Sequence, residues 1–180
     1  MKYGKLLVVC FVPIVFITLS CSTVKPIRTE DHVDLDRFMG DWYVVANIPT
    51  FVEKNAWNAL ETYEMREPGV IDTTFTFNKG GPDGELKTYT PTGFVRDAES
   101  NAEWGMRFIW PFKAEYLIMH VDEDYSETVI GRRKRDHVWI MTRTPHPPES
   151  TLKDLIDLAV EAGYEREEIQ RVPHEKDGDS

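Results

Sequence analysis

Four consecutive cations, Arg132, Arg133, Lys134 and Arg135, form the densest charge run in the chain. Guanidinium groups at this spacing suit a phosphate or a carboxylate, which a planar fork can hold through paired hydrogen bonds. The run stands out because the chain is acidic overall, with 21 basic residues against 31 acidic ones. A solvated hairpin tip is the plainer reading of the same residues, and both readings stay open. Little else has the spacing of reactive chemistry. His32, His120, His137, His146 and His174 are scattered without metal-ligand spacing, and His120 is the one set deep within a strand pattern. There is no G-x-S-x-G elbow, no phosphate-binding glycine loop and no H-E-x-x-H pair. The carboxylates sit in turns and in the tail, so paired acid–base work has no support. The residues point to no metal, no cofactor and no enzyme, and an acidic chain is a poor partner for nucleic acid.

The two cysteines carry a different message. Cys10 lies inside the apolar run LLVVCFVPIVFITLS (6–20), which follows Lys2 and Lys5 and reads as a secretory signal over residues 1–20. Cys21 ends the stretch TLSC, which resembles the lipobox of bacterial lipoproteins, where the thiol is acylated and becomes the new N-terminus. Thr18 stands where leucine is usual, and an ordinary signal followed by an incidental cysteine is the other reading. On the first reading Cys21 is the lipid attachment site. Ser22 then follows it where aspartate often specifies inner-membrane retention, which favours the outer membrane, on its periplasmic side. Export removes any internal thiol pair, so no disulfide is expected. Residues 21–34 read as a lipidated polar tether, 35–172 as one domain, and 173–180 as a charged, disordered tail.

These residues need a scaffold, and the pattern for one is regular. Segments rich in Val, Ile, Thr and aromatics recur at 41–49, 58–66, 70–77, 85–95, 102–110, 114–121, 126–132 and 137–144. Turn-forming residues separate them, as in EPG (67–69), NKGGPDG (78–84) and RDAESN (96–101). Eight such strands in series predict an all-β, antiparallel up-and-down barrel. A two-sheet sandwich with a filled core is the alternative. The segment 149–163 then changes period, with Leu152, Leu155, Ile156 and Ala159 on one helical face. Ser150 or Thr151 can cap this helix, Gly163 suits its end, and a last short strand follows at 169–172. In the first strand Trp42, Val44, Ala46 and Ile48 alternate with Tyr43, Val45 and Asn47, so both faces are largely apolar. A barrel with a helix packed outside needs such a strand, with one face lining the interior and the other beneath the helix.

In this setting the chain resembles the lipocalins, within them the bacterial outer-membrane lipoprotein branch related to apolipoprotein D. The resemblance runs from 35 to 172 and rests on Gly40-Asp41-Trp42, on the pair Asp124-Tyr125 after the sixth strand, and on Arg143 ending the eighth. The turn Ile109-Trp110-Pro111-Phe112 adds to it. Antiparallel alternation puts all three motifs at one end, the closed one. The resemblance implies that Arg143 lies across the Trp42 indole, and that Gly40, Trp42, Asp124, Tyr125 and Arg143 are structural. It also implies a cavity that binds, stores or transports lysophospholipids or fatty acids in support of the envelope. The other reading is a lipid-modifying enzyme in the same cavity. The membrane is a partner through Cys21, and a homodimer is left open.

The same alternation places 49–57, 78–84, 110–115 and 132–136 at the mouth, with Arg132, Arg133 and Arg135 as a rim for a lipid phosphate. Strand parity turns Phe75, Phe77, Trp104, Met106, Phe108, Trp139 and Met141 towards the cavity. In 114–121 parity does not decide, because Leu117, Met119 and Val121 are as apolar as Tyr116 and Ile118.

Overall fold

The computed structural model describes residues 26–175, so the signal segment, Cys21 and residues 176–180 lie outside it. A one-turn helix, α1 (Leu35–Phe38), opens the domain, with Asp34 capping it through Oδ1 to the backbone N–H of Asp36 and Arg37. The strands β1 (Gly40–Ile48), β2 (Ala56–Glu67), β3 (Val70–Lys79), β4 (Glu85–Tyr89) and β5 (Thr92–Val95) follow. After them come β6 (Glu103–Ile109), β7 (Phe112–Val121), β8 (Glu127–Gly131) and β9 (Val138–Thr142). Successive strands pair antiparallel, except that β4 and β5 each pair with β3 and not with each other, and β9 returns to β1 through Tyr43↔Thr142 and Val44↔Met141, closing the barrel.

The strand predicted over 85–95 is two strands. The chain breaks at Thr90 and Pro91, because proline has no N–H for the ladder. Both halves pair with β3, but only β5 continues to β6, so the wall opens beside β4 at the mouth. The barrel therefore has eight strand positions, with β4 and β5 sharing one.

The helix α2 (Glu149–Glu161) packs outside the barrel. It starts after Pro148 with no side-chain cap, so the role assigned to Ser150 or Thr151 is not used. Its end does follow the glycine. Gly163 adopts φ +96°, its N–H reaches the Val160 carbonyl, and that of Tyr164 reaches Ala159, the paired bonds of a Schellman stop. A 3-10 turn (Arg166–Glu168) leads to β10 (Gln170–Arg171), which pairs with β1 at Ala46 and Asn47, beyond the point where the β1–β2 ladder ends.

Two apolar clusters answer the question of the two-faced first strand. Trp42 and Val44 join the interior cluster with Phe38, Tyr63, Phe77, Trp104 and Met141. Val45, Ala46 and Ile48 join the outer cluster with Leu152, Leu155 and Ala159 of α2. A bulge between Val44 and Ala46 switches the strand from one cluster to the other, so Ala46 and Ile48 do not share the environment of Trp42 as plain alternation predicts. The same division settles β7: Tyr116 and Ile118 belong to the interior, and Leu117 and Met119 lie beneath α2.

The flanks are part of the fold. In the predicted tether, Val33 is fully buried, and Glu30 bonds through its N–H to Ile118 and through its carboxylate to the N–H of Val121. In the predicted tail, His174 reaches the Val44 carbonyl at 2.9 Å, and Glu175 donates its N–H to Asn58.

Candidate functional site

At the closed end the chain is tied down repeatedly. The Arg143 guanidinium lies 3.8 Å from the centre of the Trp42 ring system. Its N–H groups donate to the carbonyls of Tyr125, Asp41, Arg37 and Met39 at 2.7–3.1 Å. Gly40 passes beneath it at φ +91°, where an added Cβ would stand 3.4 Å from Nη1. The Trp42 indole N–H donates to Phe38 at 2.8 Å. Tyr125, at φ 58°, accepts the Asp34 N–H on its hydroxyl, with Arg37 over its ring. Asp124 is exposed. The carboxylate that holds this turn is Asp122, which accepts from the N–H of Ser126 and of Glu127, each at 2.7 Å, and from the Ser126 hydroxyl. Those bonds hold its carboxyl below the usual range against the opposing pull of partial burial, the largest single influence.

Above this end sits an aromatic floor. Phe38, Tyr63, Trp104 and Tyr116 contact one another with ring centres 5.3–6.3 Å apart. Trp104 is fully buried in it, and its indole N–H is bound to the Asn101 carbonyl. Phe77 and Met141 are fully buried too.

The mouth is open. A cavity of about 490 Å³ lies there, walled by Phe75, Tyr89, Pro91, Phe108, Trp139 and the loop 50–53. That volume falls within the range of small-molecule sites. A larger, shallow cleft of about 850 Å³ lies outside the closed end, between the N-terminal segment and β5. It shares no lining residue with the mouth cavity, which the strand ends and the aromatic rim mark as the candidate site. Around the mouth Phe51, Leu86, Phe108, Trp110 and Phe112 are exposed, an apolar rim on an acidic protein.

Three of the seven predicted lining residues, Phe75, Phe108 and Trp139, border this space, and Met106 lines a small annex that shares its walls. Trp104, Phe77 and Met141 instead fill the floor and core. Phe108 is more exposed than strand parity implies, since the β6–β7 register shifts between Met106 and Ile109. The basic run is divided. Arg132 borders the cavity and pairs with Asp136. Arg133 is bound by Glu103 and Glu115 from neighbouring strands. Arg135 turns away from the mouth, donating its Nε–H to the Ala162 carbonyl at the end of α2, so it does not form the rim assigned to it.

The sequence reading misses two carboxyls in the barrel. Glu53 and Glu61 are 7% and 8% exposed, and both border a deep annex of about 30 Å³ beneath the main cavity. Glu61 is drawn inward by register: it pairs across β1 with Trp42 and across β3 with Phe75, both inward residues. Burial pushes its carboxyl up to about 7, offset in part by a hydrogen bond from Tyr63. Tyr63 in turn meets the Tyr116 hydroxyl at 2.5 Å, and burial raises both phenols well above their ordinary value. Glu53 is also raised by burial, while it accepts the Thr50 N–H at 3.0 Å and the Trp139 indole N–H at 3.3 Å. Among the described residues no group of three or more His, Cys, Asp or Glu could hold a metal ion.

Comparison with known proteins agrees with this architecture. A family model described as a lipocalin-like domain matches residues 33–174. Temperature-induced lipocalin-1 of Arabidopsis thaliana is 29% identical over 158 residues, covering 83% of each chain. The outer membrane lipoprotein Blc of Citrobacter freundii is 29% identical over 164 residues, 88% of this chain and 90% of that one. Bovine apolipoprotein D is 26% identical over 148 residues, 78% and 76% of the two chains. Among solved structures, lobster apocrustacyanin A1 superposes with a TM-score of 0.62 at 10% identity, covering 78% and 79%. Insecticyanin of the tobacco hornworm gives 0.61 at 12%, covering 84% and 86%. The closed eight-position barrel, the helix outside it and the matched span together place this chain in the lipocalin-like family, whose members bind small hydrophobic ligands.

Proposed function

We propose that this protein binds single-chain lipids, lysophospholipids or fatty acids, in the mouth cavity and carries or stores them at the bacterial envelope. The observation that carries this reading is the apolar cavity of about 490 Å³ opening through a rim of exposed aromatics. Each methylene buried there contributes about 0.8 kcal/mol, so an acyl chain alone gives micromolar binding. Arg132 beside the cavity offers a charge for a phosphate at the mouth. The exposed Phe51, Trp110 and Phe112 suit contact with a membrane from which such a lipid would come. Acylation at Cys21 and an outer-membrane address belong to the same reading. They are supported by the TLSC stretch and by the likeness to outer membrane lipoproteins named Blc. The reading is of a binding protein and not of a lipid-modifying enzyme.

The test is intrinsic fluorescence during titration with a lysophospholipid and with a fatty acid. Trp139 borders the cavity, so a saturable change at low micromolar ligand is expected. Trp139→Phe should lose most of the signal while calorimetry still shows binding. A flat response to both lipids from folded protein, confirmed by calorimetry, would overturn the proposal.

A further inference from the structure

The interior acids are placed where a ligand would meet them. The cavity narrows downward from apolar walls to the annex bordered by Glu53, Glu61, Met106, Tyr116 and Trp139. Glu61 is more than nine-tenths buried and borders this space, with Tyr63 as its hydrogen-bonding neighbour. No basic side chain among the described residues forms an ion pair with it. The charged groups nearest the annex are Glu53 above it and Glu115 at its edge, the latter already bound to Arg133. Higher up stand Arg132, paired with Asp136, and His137, which faces the Ile48 carbonyl. A buried carboxyl without a cation is costly unless something supplies one.

Two features decide what that something is. The annex walls carry acceptors, the carboxyls of Glu53, Glu61 and Glu115 (the last held by Arg133) and the Tyr116 hydroxyl, beside the stacked rings of Tyr116 and Trp139. Carboxylates favour a cation over an anion. The volume, about 30 Å³, holds one small group of about the size of a water molecule. A primary ammonium fits such a space, and a trimethylammonium does not.

We infer that Glu61, with Glu53 above it, is a specificity element that seats the primary ammonium of a single-chain amphiphile inside the barrel, its alkyl chain filling the apolar cavity above. This rests on the lipid-binding reading of the cavity and narrows it. A carboxylate sent down head first would meet two acids, so fatty acids enter only tail first and leave the annex unfilled.

The experiment compares four ligands of one chain length on the purified protein at pH 7.5 by calorimetry: a primary alkylamine, its N-trimethyl counterpart, the alcohol and the carboxylic acid. The amine should bind about 10- to 100-fold tighter than the other three, the range of a hydrogen bond to a charged group. Glu61→Gln should reduce the amine to the level of the alcohol and leave the alcohol within about twofold. If that variant does not fold, the wild-type order alone decides. Equal affinity for all four, or an amine no tighter than its trimethyl form, overturns this inference while the lipid-binding reading stands. Failure of all four to bind overturns both.

Discussion

Replacing Glu61 by glutamine should make the folded protein more stable, and the gain should depend on pH. Unfolded, this carboxyl titrates near 4.5, the ordinary range of a glutamate; in the barrel, burial raises it to about 7. The folded form therefore holds its proton over a range where the unfolded form has lost it. Below pH 4.5 both states are protonated and the acid costs nothing electrostatically. As pH rises towards 7, the unfolded state is favoured progressively, and above 7 the full penalty applies. A displacement of this size corresponds to about 3 kcal/mol. Glutamine has almost the same shape, can still accept from Tyr63, and does not titrate. Urea denaturation of wild type and Glu61→Gln at pH 4.5 and pH 8 should give near-equal stabilities at the first and a variant about 2–3 kcal/mol more stable at the second. Glu53, Tyr63 and Tyr116 are the titratable groups around this carboxyl, and both phenols stay neutral throughout. Glu53 is raised as well, and its charge adds to the upward push on Glu61, so the variant is also relieved of that repulsion and the gain at pH 8 includes it. A stability difference that is the same at both pH values would refute the burial argument.

Trp42→Ala should lose about 3–5 kcal/mol, because it empties the fully buried centre of the closed end and strips Arg143 of its ring; a melting temperature within a degree of wild type would contradict this. Asp122→Ala should cost about 1–3 kcal/mol through the orphaned N–H groups of Ser126 and Glu127, and Asp124→Ala less than about 0.5 kcal/mol; urea midpoints of the two variants give the comparison, and equal losses would restore Asp124 to the turn. Arg132→Glu should weaken a lysophospholipid several-fold more than a fatty alcohol, whereas Arg135→Glu should leave both affinities unchanged and lower stability by about 1 kcal/mol, since its guanidinium holds the end of α2. Calorimetry with both ligands separates the two arginines, and identical profiles would mean that neither contacts the ligand.

The closed end was legible because its residues act through local and repeated geometry. Gly40-Asp41-Trp42 and Arg143 stand at strand ends, where antiparallel alternation alone brings them together. The helical period of Leu152, Leu155 and Ala159 and the stop at Gly163 were equally plain. What failed was charge and register. Glu61 shares its parity with Ala59, Tyr63 and Met65 in the stretch NALETYEM, opposite Asn58, Thr62 and Glu64, so alternation already turns it inward and only its charge argues for solvent. The pairings Trp42↔Glu61 and Glu61↔Phe75 hold it there. The bulge at Val44–Ala46 and the break at Pro91 are likewise decided between strands, although the proline was visible. The Arg132–Arg135 run looked like one basic rim because its partners, Glu103, Glu115 and the Ala162 carbonyl, lie far away in sequence.

The closed end is satisfied many times over, by a guanidinium that reaches five carbonyls and by closely packed rings. Its stability leaves room for a feature that stability alone would remove. A buried carboxyl with no cation is such a feature, and a barrel selected only to fold would place a hydrophobe between Trp42 and Phe75. If Glu61 were merely structural, glutamine would alter stability and leave the ranking of ligands untouched. If it seats an ammonium, the same substitution stabilises the empty protein at pH 8 and abolishes its preference for the amine. Opposite movement of those two readouts, in one variant, marks the acid as part of a binding site.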